Sequence, residues 1–218
     1  MLCIVRSLPL SATIRHNQTL DQQMKETEMK KNYLKSIKKQ FEYYKMLGER
    51  TFDQLEANDL FRQFSPESNS IAIIVNHLWG NMKSRWTDFL TTDGEKEWRN
   101  RDLEFESVIK TKDELLEKWN GGWECLFEAL NSIDEDNFND IIYIRNQGHT
   151  IVEAVNRQLG HYAYHVGQIV FIGRMIRGNE WKSLSIPKGK SADFNREKFS
   201  KAKHKAHFTD EFLERGNK

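Results

Sequence analysis

TIVEAVNRQLGHYAYHVGQIVFIGRMIRG, from Thr150 to Gly178, is the stretch that decides the fold of this 218-residue chain. Thr150 followed by Glu153 is a capping box, a Ser/Thr–Glu pair that satisfies two free backbone donors at a helix start. Gly178 sits where a helix stop belongs. The spacing therefore predicts one long helix from Thr150 through Ile176. Its inward face carries Ala154, Gln158, His161, His165, Ile169 and Ile172. At i and i+4, His161 and His165 lie about 40° apart around the axis and about 6 Å along it, so both reach a single ion.

Working outward, the same period of 3.6 residues recurs three times upstream. Tyr33, Leu34, Ile37, Phe41, Tyr44, Leu47 and Leu55 make the stripe of a first helix, Asn32 to about Gln54. Residues 57–69 read as a loop, from which Ser68, Asn69 or Ser70 caps a second helix reaching Leu90. Ile71, Ile74, Val75, Leu78, Met82, Trp86 and Phe89 face inward there. Thr111 and Glu114 form another capping box and open a third helix that ends near Ile133, with Leu115, Trp119, Trp123, Leu126 and Leu130 inward. Gly121-Gly122 inside it costs about 1 kcal/mol per Gly relative to Ala, which marks a kink or a close backbone approach. Residues 91–107 are too charged for a core helix. Asp93-Gly94 signals a turn, and Trp98, Leu103 and Phe105 predict an ordered loop packed across the helices. Residues 134–148 connect the third helix to the fourth, with Ile141–Ile144 as a short extended segment. The fold class expected is all-α, an antiparallel four-helix bundle.

Composition bounds the partners. Lys and Arg number 33 against 32 Asp and Glu, a net charge of +1, which argues against nucleic acid. No apolar run is long enough to span a membrane. Cys3 and Cys125 cannot build a disulfide framework or a thiolate metal site, and they point to a reducing cytoplasm. Met1 to Arg6 lacks the apolar run and cleavage site of a signal peptide. Residues 1–28 read as a disordered extension with Met24 and Met29 as alternative starts. Residues 29–195 read as the bundle, and residues 196–218 as a charged tail, mobile or a frayed helix.

The chain holds seven histidines, at 16, 77, 149, 161, 165, 204 and 207. His77, beside the apolar stripe of the second helix, is the candidate third ligand to join His161 and His165. Three protein ligands with an open position are the mark of a catalytic metal site. The alternative is a set of hydrogen-bonded core histidines. The helix is not of the zinc-protease type, because Tyr162 follows His161 where that motif has a Glu.

His77 on the second helix, with His161-x-x-x-His165-Val-Gly-Gln168 on the fourth, resembles the DinB/YfiT-like superfamily of metalloenzymes. The nearer likeness is to an uncharacterised Bacillus-type branch. It rests on Ser70-Ile-Ala-Ile-Ile-Val-Asn-His77, Arg85-Trp-Thr-Asp-Phe-Leu90, Asp93-Gly-Glu-Lys96, Trp98-Arg-Asn-Arg-Asp102 and Ser185-Ile-Pro-Lys-Gly-Lys-Ser191. The resemblance implies a divalent ion, zinc or nickel, on His77, His161 and His165. It also implies homodimers and, in some relatives, transfer of thiols such as bacillithiol to small electrophiles.

Around the expected site, Gln168 and Arg157 are the candidates for catalytic or rim roles, and Gln158 and Asn76 for support of ligands or substrate. Tyr162 and Tyr164 are expected in helix interfaces. Gly160, Gly167 and Gly173 are expected to let helices approach. The charges from Asp93 to Glu106 read either as a surface salt-bridge network or as a loop closing the site over a charged substrate. Trp79, Trp86 and Trp123 are expected to line a cavity beside the ion. Two function classes stay open: a metal-dependent transferase or hydrolase, and a non-catalytic metal-binding bundle.

Overall fold

The computed structural model describes residues 10–214, with side chains from residue 21 onward. The structure is mostly helical, as expected. Its elements are α1 (Leu10–Phe52), α2 (Ile71–Trp86), α3 (Lys112–Asn131), β1 (Ile141–Ile144), β2 (Gln147–Thr150), α4 (Ile151–Arg177), α5 (Ser191–Phe199) and α6 (Asp210–Glu214), with short 3-10 turns between some of them. The inward residues of α1 to α4 form one apolar core, centred on Phe41, Leu78, Trp119, Trp123, Tyr162 and Val166. α2 packs on α3 and α4, and α1 packs on α4 and α3.

Local chemistry sets the helix ends. Ser70 accepts the Ile73 N–H at 3.2 Å and so is the N-cap of α2 among the three candidates. Thr111 and Glu114 close their capping box on α3, as Thr150 and Glu153 do on α4. Gly178 ends α4 at φ +54°, a conformation that costs glycine little. α2 stops at Trp86, short of the expected Leu90, because Asp88 turns the chain at φ +47°; Phe89 is still buried. Gly121-Gly122 marks a close approach and no break: α3 is continuous, and a Cβ on Gly122 would lie 3.3 Å from Trp79 Cα of α2.

Several expectations are corrected. Residues 10–28, expected to be disordered, continue α1 as helix. Good helix formers such as Lys, Glu and Gln sustain it without an apolar stripe. Thr27 and Lys31 tie its side to Glu135. Residues 1–9, including Cys3, lie outside the described residues. The charged tail docks on α1: Lys39 pairs with Asp210, Arg50 donates to the Phe212 carbonyl at 2.8 Å, and Tyr43 meets the rings of Phe208 and Phe212. Sequence polarity concealed this, because the docking uses charged groups and two isolated aromatics.

The connection before α4 holds a hairpin, not a single extended segment. β1 and β2 pair antiparallel, Ile144 opposite Gln147. Arg145 and Asn146 make the two-residue turn at φ +56° and +60°. Two positive φ values are what a twist-matched hairpin turn needs. Asp93 caps that turn, accepting the Arg145 and Asn146 N–H groups at 2.8 Å each.

Candidate metal centre

α2 and α4 bring the three predicted ligands together. His77 is buried in α2, His165 is buried in α4, and His161 is half-buried one turn before it. His77 Nε2 lies 3.2 Å from His161 Nε2, and His165 Nε2 lies 3.1 Å from the same atom. One ligand atom from each histidine lies within 4.8 Å of the others. Nitrogens bound tetrahedrally to one ion at about 2.0–2.1 Å stand about 3.3 Å apart, so the spacing fits a shared ion.

The partners at Nδ1 decide where the protons are. His77 Nδ1 lies 2.8 Å from Glu104 Oε2. A carboxylate only accepts, so His77 donates there and its Nε2 carries a lone pair. Burial pushes Glu104 up, but the hydrogen bonds from His77 and Arg99 outweigh it and hold the carboxyl below its ordinary value. His165 Nδ1 donates likewise to Gln168 Oε1 at 2.9 Å. Two lone pairs therefore face His161 Nε2, and that atom can offer at most one proton. Burial, reinforced by the neighbouring imidazoles, lowers His161 to about 3 and His165 to about 4. Both are neutral near pH 7. The donor set is electron-rich and convergent, and it fits a cation.

Glu104 is the functional residue that sequence reading missed. It stands on the connection between α2 and α3, buried, with Arg99 donating to both of its oxygens at 2.7 and 3.0 Å. Asn76 reaches the same segment, donating to the Glu104 carbonyl at 3.0 Å. Gly80 makes the room: a Cβ there would lie 2.8 Å from Glu104 Cδ and closer still to Oε1. The available signal was that glycine, in mid-helix and three residues after His77, on the ligand face. The loop is ordered, yet it packs the opposite way from expectation. Its charges, Arg99 and Glu104, are inside, while Trp98 and Leu103 are 58% and 54% exposed. Its salt-bridge network is buried at Arg99 and Glu104 where a surface one was expected. Phe105 stacks on the His77 ring at 4.7 Å between centroids.

The other candidates divide. Gln168, expected to orient a bound water or substrate, accepts from His165 Nδ1 through its Oε1. Arg157 is exposed on α4, one turn before His161, and no hydrogen bond or ion pair joins it to the triad among the described residues. Gln158 is buried with Oε1 unpartnered among them. Tyr162 is a core residue, accepting from Trp86 Nε1 and donating to Asn81 Oδ1, both at 3.1 Å. Tyr164 is exposed, contrary to expectation. Gly173 does admit a neighbour, Thr51 Cγ2 at 2.5 Å from a built Cβ, whereas Gly160 and Gly167 face open space.

Clefts of about 760 and 550 Å³ lined by Trp79 and by Trp86 have no triad histidine in their walls, so they are not the cavity expected beside the ion. Trp86 and Trp123 fill the core, and Trp79 lies under the Lys118 ammonium. A groove of about 520 Å³ instead lies one helical turn from the ligands, lined by Ile74, Tyr164, Gly167, Gln168, Phe171 and Ile172, with Glu67, Ser68 and Asn69 at its polar end. Its aromatic wall comes from α4.

The family model described as "Protein of unknown function (DUF1572)" matches residues 28–190. No curated protein and no solved structure matches the chain. No helix among the described residues is long and apolar enough to cross a membrane.

Proposed function

We propose, taking as premise that the chain belongs to the DUF1572 family, that it is a divalent-metal protein of the DinB/YfiT-like superfamily. In this reading the helices form that superfamily's antiparallel four-helix bundle. The activity is transfer of a low-molecular-weight thiol, of bacillithiol type, to a small electrophile, or a metal-assisted hydrolysis. The observation that carries the reading is the surplus of lone pairs at three converging imidazole nitrogens. His77, His161 and His165 would hold zinc or nickel. Such an ion supplies Lewis acidity that lowers the pKa of a thiol or water at its open position.

The chain's own residues do the rest. Glu104 and Gln168 orient two ligands. The α4 groove offers Tyr164 and Phe171 as an apolar wall for an uncharged electrophile, and the exposed Arg157, one turn before His161 on the same helix, is the cation offered to a charged substrate group. A homodimer belongs to the same proposal: Tyr164, Phe171 and Met175 give a second copy an exposed apolar stripe on α4. The free, buried Cys125 supports a reducing, cytoplasmic setting.

Metal analysis of the purified protein, followed by thiol-conjugation assays with zinc or nickel added back, tests this. One ion per chain and ion-dependent conjugation are expected. Bound metal with no binding of bacillithiol at millimolar concentration moves the reading to hydrolysis or to a non-catalytic metal-binding bundle. A protein that takes up neither ion refutes it.

A further inference from the structure

The stretch from Asp93 to Glu104 carries much of the branch resemblance, and of it the proposed chemistry uses only Glu104. In the structure it forms a chain of ion pairs that is buried at Glu104 and Arg99 and reaches the surface at Arg145. Glu104 bonds His77 and is clamped by Arg99 through two hydrogen bonds. Arg99 reaches on to Glu95 Oε2 at 3.4 Å, and Arg85 and Arg145 donate to that same oxygen at 3.1 and 3.2 Å. The Arg99 side chain is 1% exposed and the Arg85 side chain 6%. The far end is fixed to the hairpin: Asp93 caps its turn, and Gly94 donates to the Tyr143 carbonyl at 2.8 Å. Six charged groups thus tie the β1–β2 turn to one metal ligand.

We infer that Glu104 and Arg99 are positioning residues of the metal centre. Glu104 fixes His77 as the Nδ1–H tautomer with its Nε2 lone pair aimed at the ion, and Arg99, braced by Glu95, fixes Glu104. The inference rests on the metal reading above. Its physical basis is twofold. A carboxylate behind a ligating imidazole raises the basicity of that ligand and locks its orientation. Glu104 also stands with its negative charge at His77, where two buried guanidinium groups would otherwise add positive field to an incoming dication. The triad is consequently graded: His77 is held by a carboxylate, His165 by the neutral amide of Gln168, and His161 has no Nδ1 partner among the described residues.

The test uses the full chain, with zinc competed against a chromophoric chelator. Glu104→Gln is expected to weaken zinc binding about 10- to 100-fold, and Gln168→Leu to weaken it less. If Glu104→Gln does not fold, the paired variant Glu104→Gln/Arg99→Gln, which removes both charges, replaces it with the same expectation. Long-range proton–nitrogen NMR of the metal-free wild type reads the His77 tautomer independently of any ion, and Nδ1–H is expected. Zinc affinity in the Glu104 variant within twofold of wild type, or a wild-type His77 in the Nε2–H form, overturns the inference. If the wild type binds no metal, the metal reading fails by itself, while the tautomer still decides whether Glu104 positions His77.

Discussion

Gly80→Ala adds one methyl group in the middle of α2 and changes no residue of the triad. In an ordinary helix it would help, by about 1 kcal/mol. Here the new Cβ would lie 2.8 Å from Glu104 Cδ. A flexible carboxylate could normally move aside. This one is 6% exposed and pinned by two hydrogen bonds from Arg99 and one from His77. Moving it leaves the buried Arg99 guanidinium with only the longer contact to Glu95 at 3.4 Å, and breaking a buried ion pair costs about 3–5 kcal/mol. The net expected loss is about 2–4 kcal/mol, or about 5–15 °C in melting temperature for a chain of this size. Because the displaced carboxylate also orients His77, zinc affinity should fall about 10- to 100-fold. Thermal unfolding of the metal-free protein and a chelator competition measure the two effects. A Gly80→Ala protein that is more stable than wild type and binds zinc equally well would refute the buried placement of Glu104 and the argument built on it.

Three other outcomes are expected. His161→Ala should abolish most zinc binding while circular dichroism keeps its helical signal, as should chelation of the wild type, since the core of α1 to α4 does not include the triad; collapse of helicity in either case would make the metal structural. Gly48→Ala should destabilise by about 1–3 kcal/mol in urea unfolding through overpacking, because its Cβ would stand 2.5 Å from Trp119 Cη2 in the core; an unchanged midpoint would show that the α1–α3 contact is looser than described. His161 and His165 titrate near 3 and 4 when folded, against an ordinary 6.5, so the unfolded chain binds their protons first. Stability of the metal-free protein is then undiminished above about pH 6.5 and falls on acidification below it, by at most about 1.4 kcal/mol per pH unit for each histidine, less with solvent screening; a protein that grows more resistant to urea as pH is lowered from about 6.5 to 4.5 would contradict neutral His161 and His165.

The sequence by itself determined the four long helices, three of their caps and the three histidines that converge. These are local or periodic properties: Thr150 with Glu153, the stripe of Ile71 to Met82, and His161 four residues before His165 each declare themselves within a few turns of chain. Tertiary structure decided everything that depends on which side chain meets another far away in sequence. Glu104 looked like one charge among many until Gly80 and Arg99 gave it a buried seat behind His77, 27 residues distant. The strand Gln147–Thr150 has no apolar alternation and exists because β1 and the Asp93 carboxylate hold its turn. The tail docks through Lys39, Arg50 and Tyr43, whose own pattern faces water. Polar partnerships have no period, and a carboxylate is equally at home in solvent. Its burial becomes favourable only where a cation and a ring N–H are already in place, and only the folded chain assembles those.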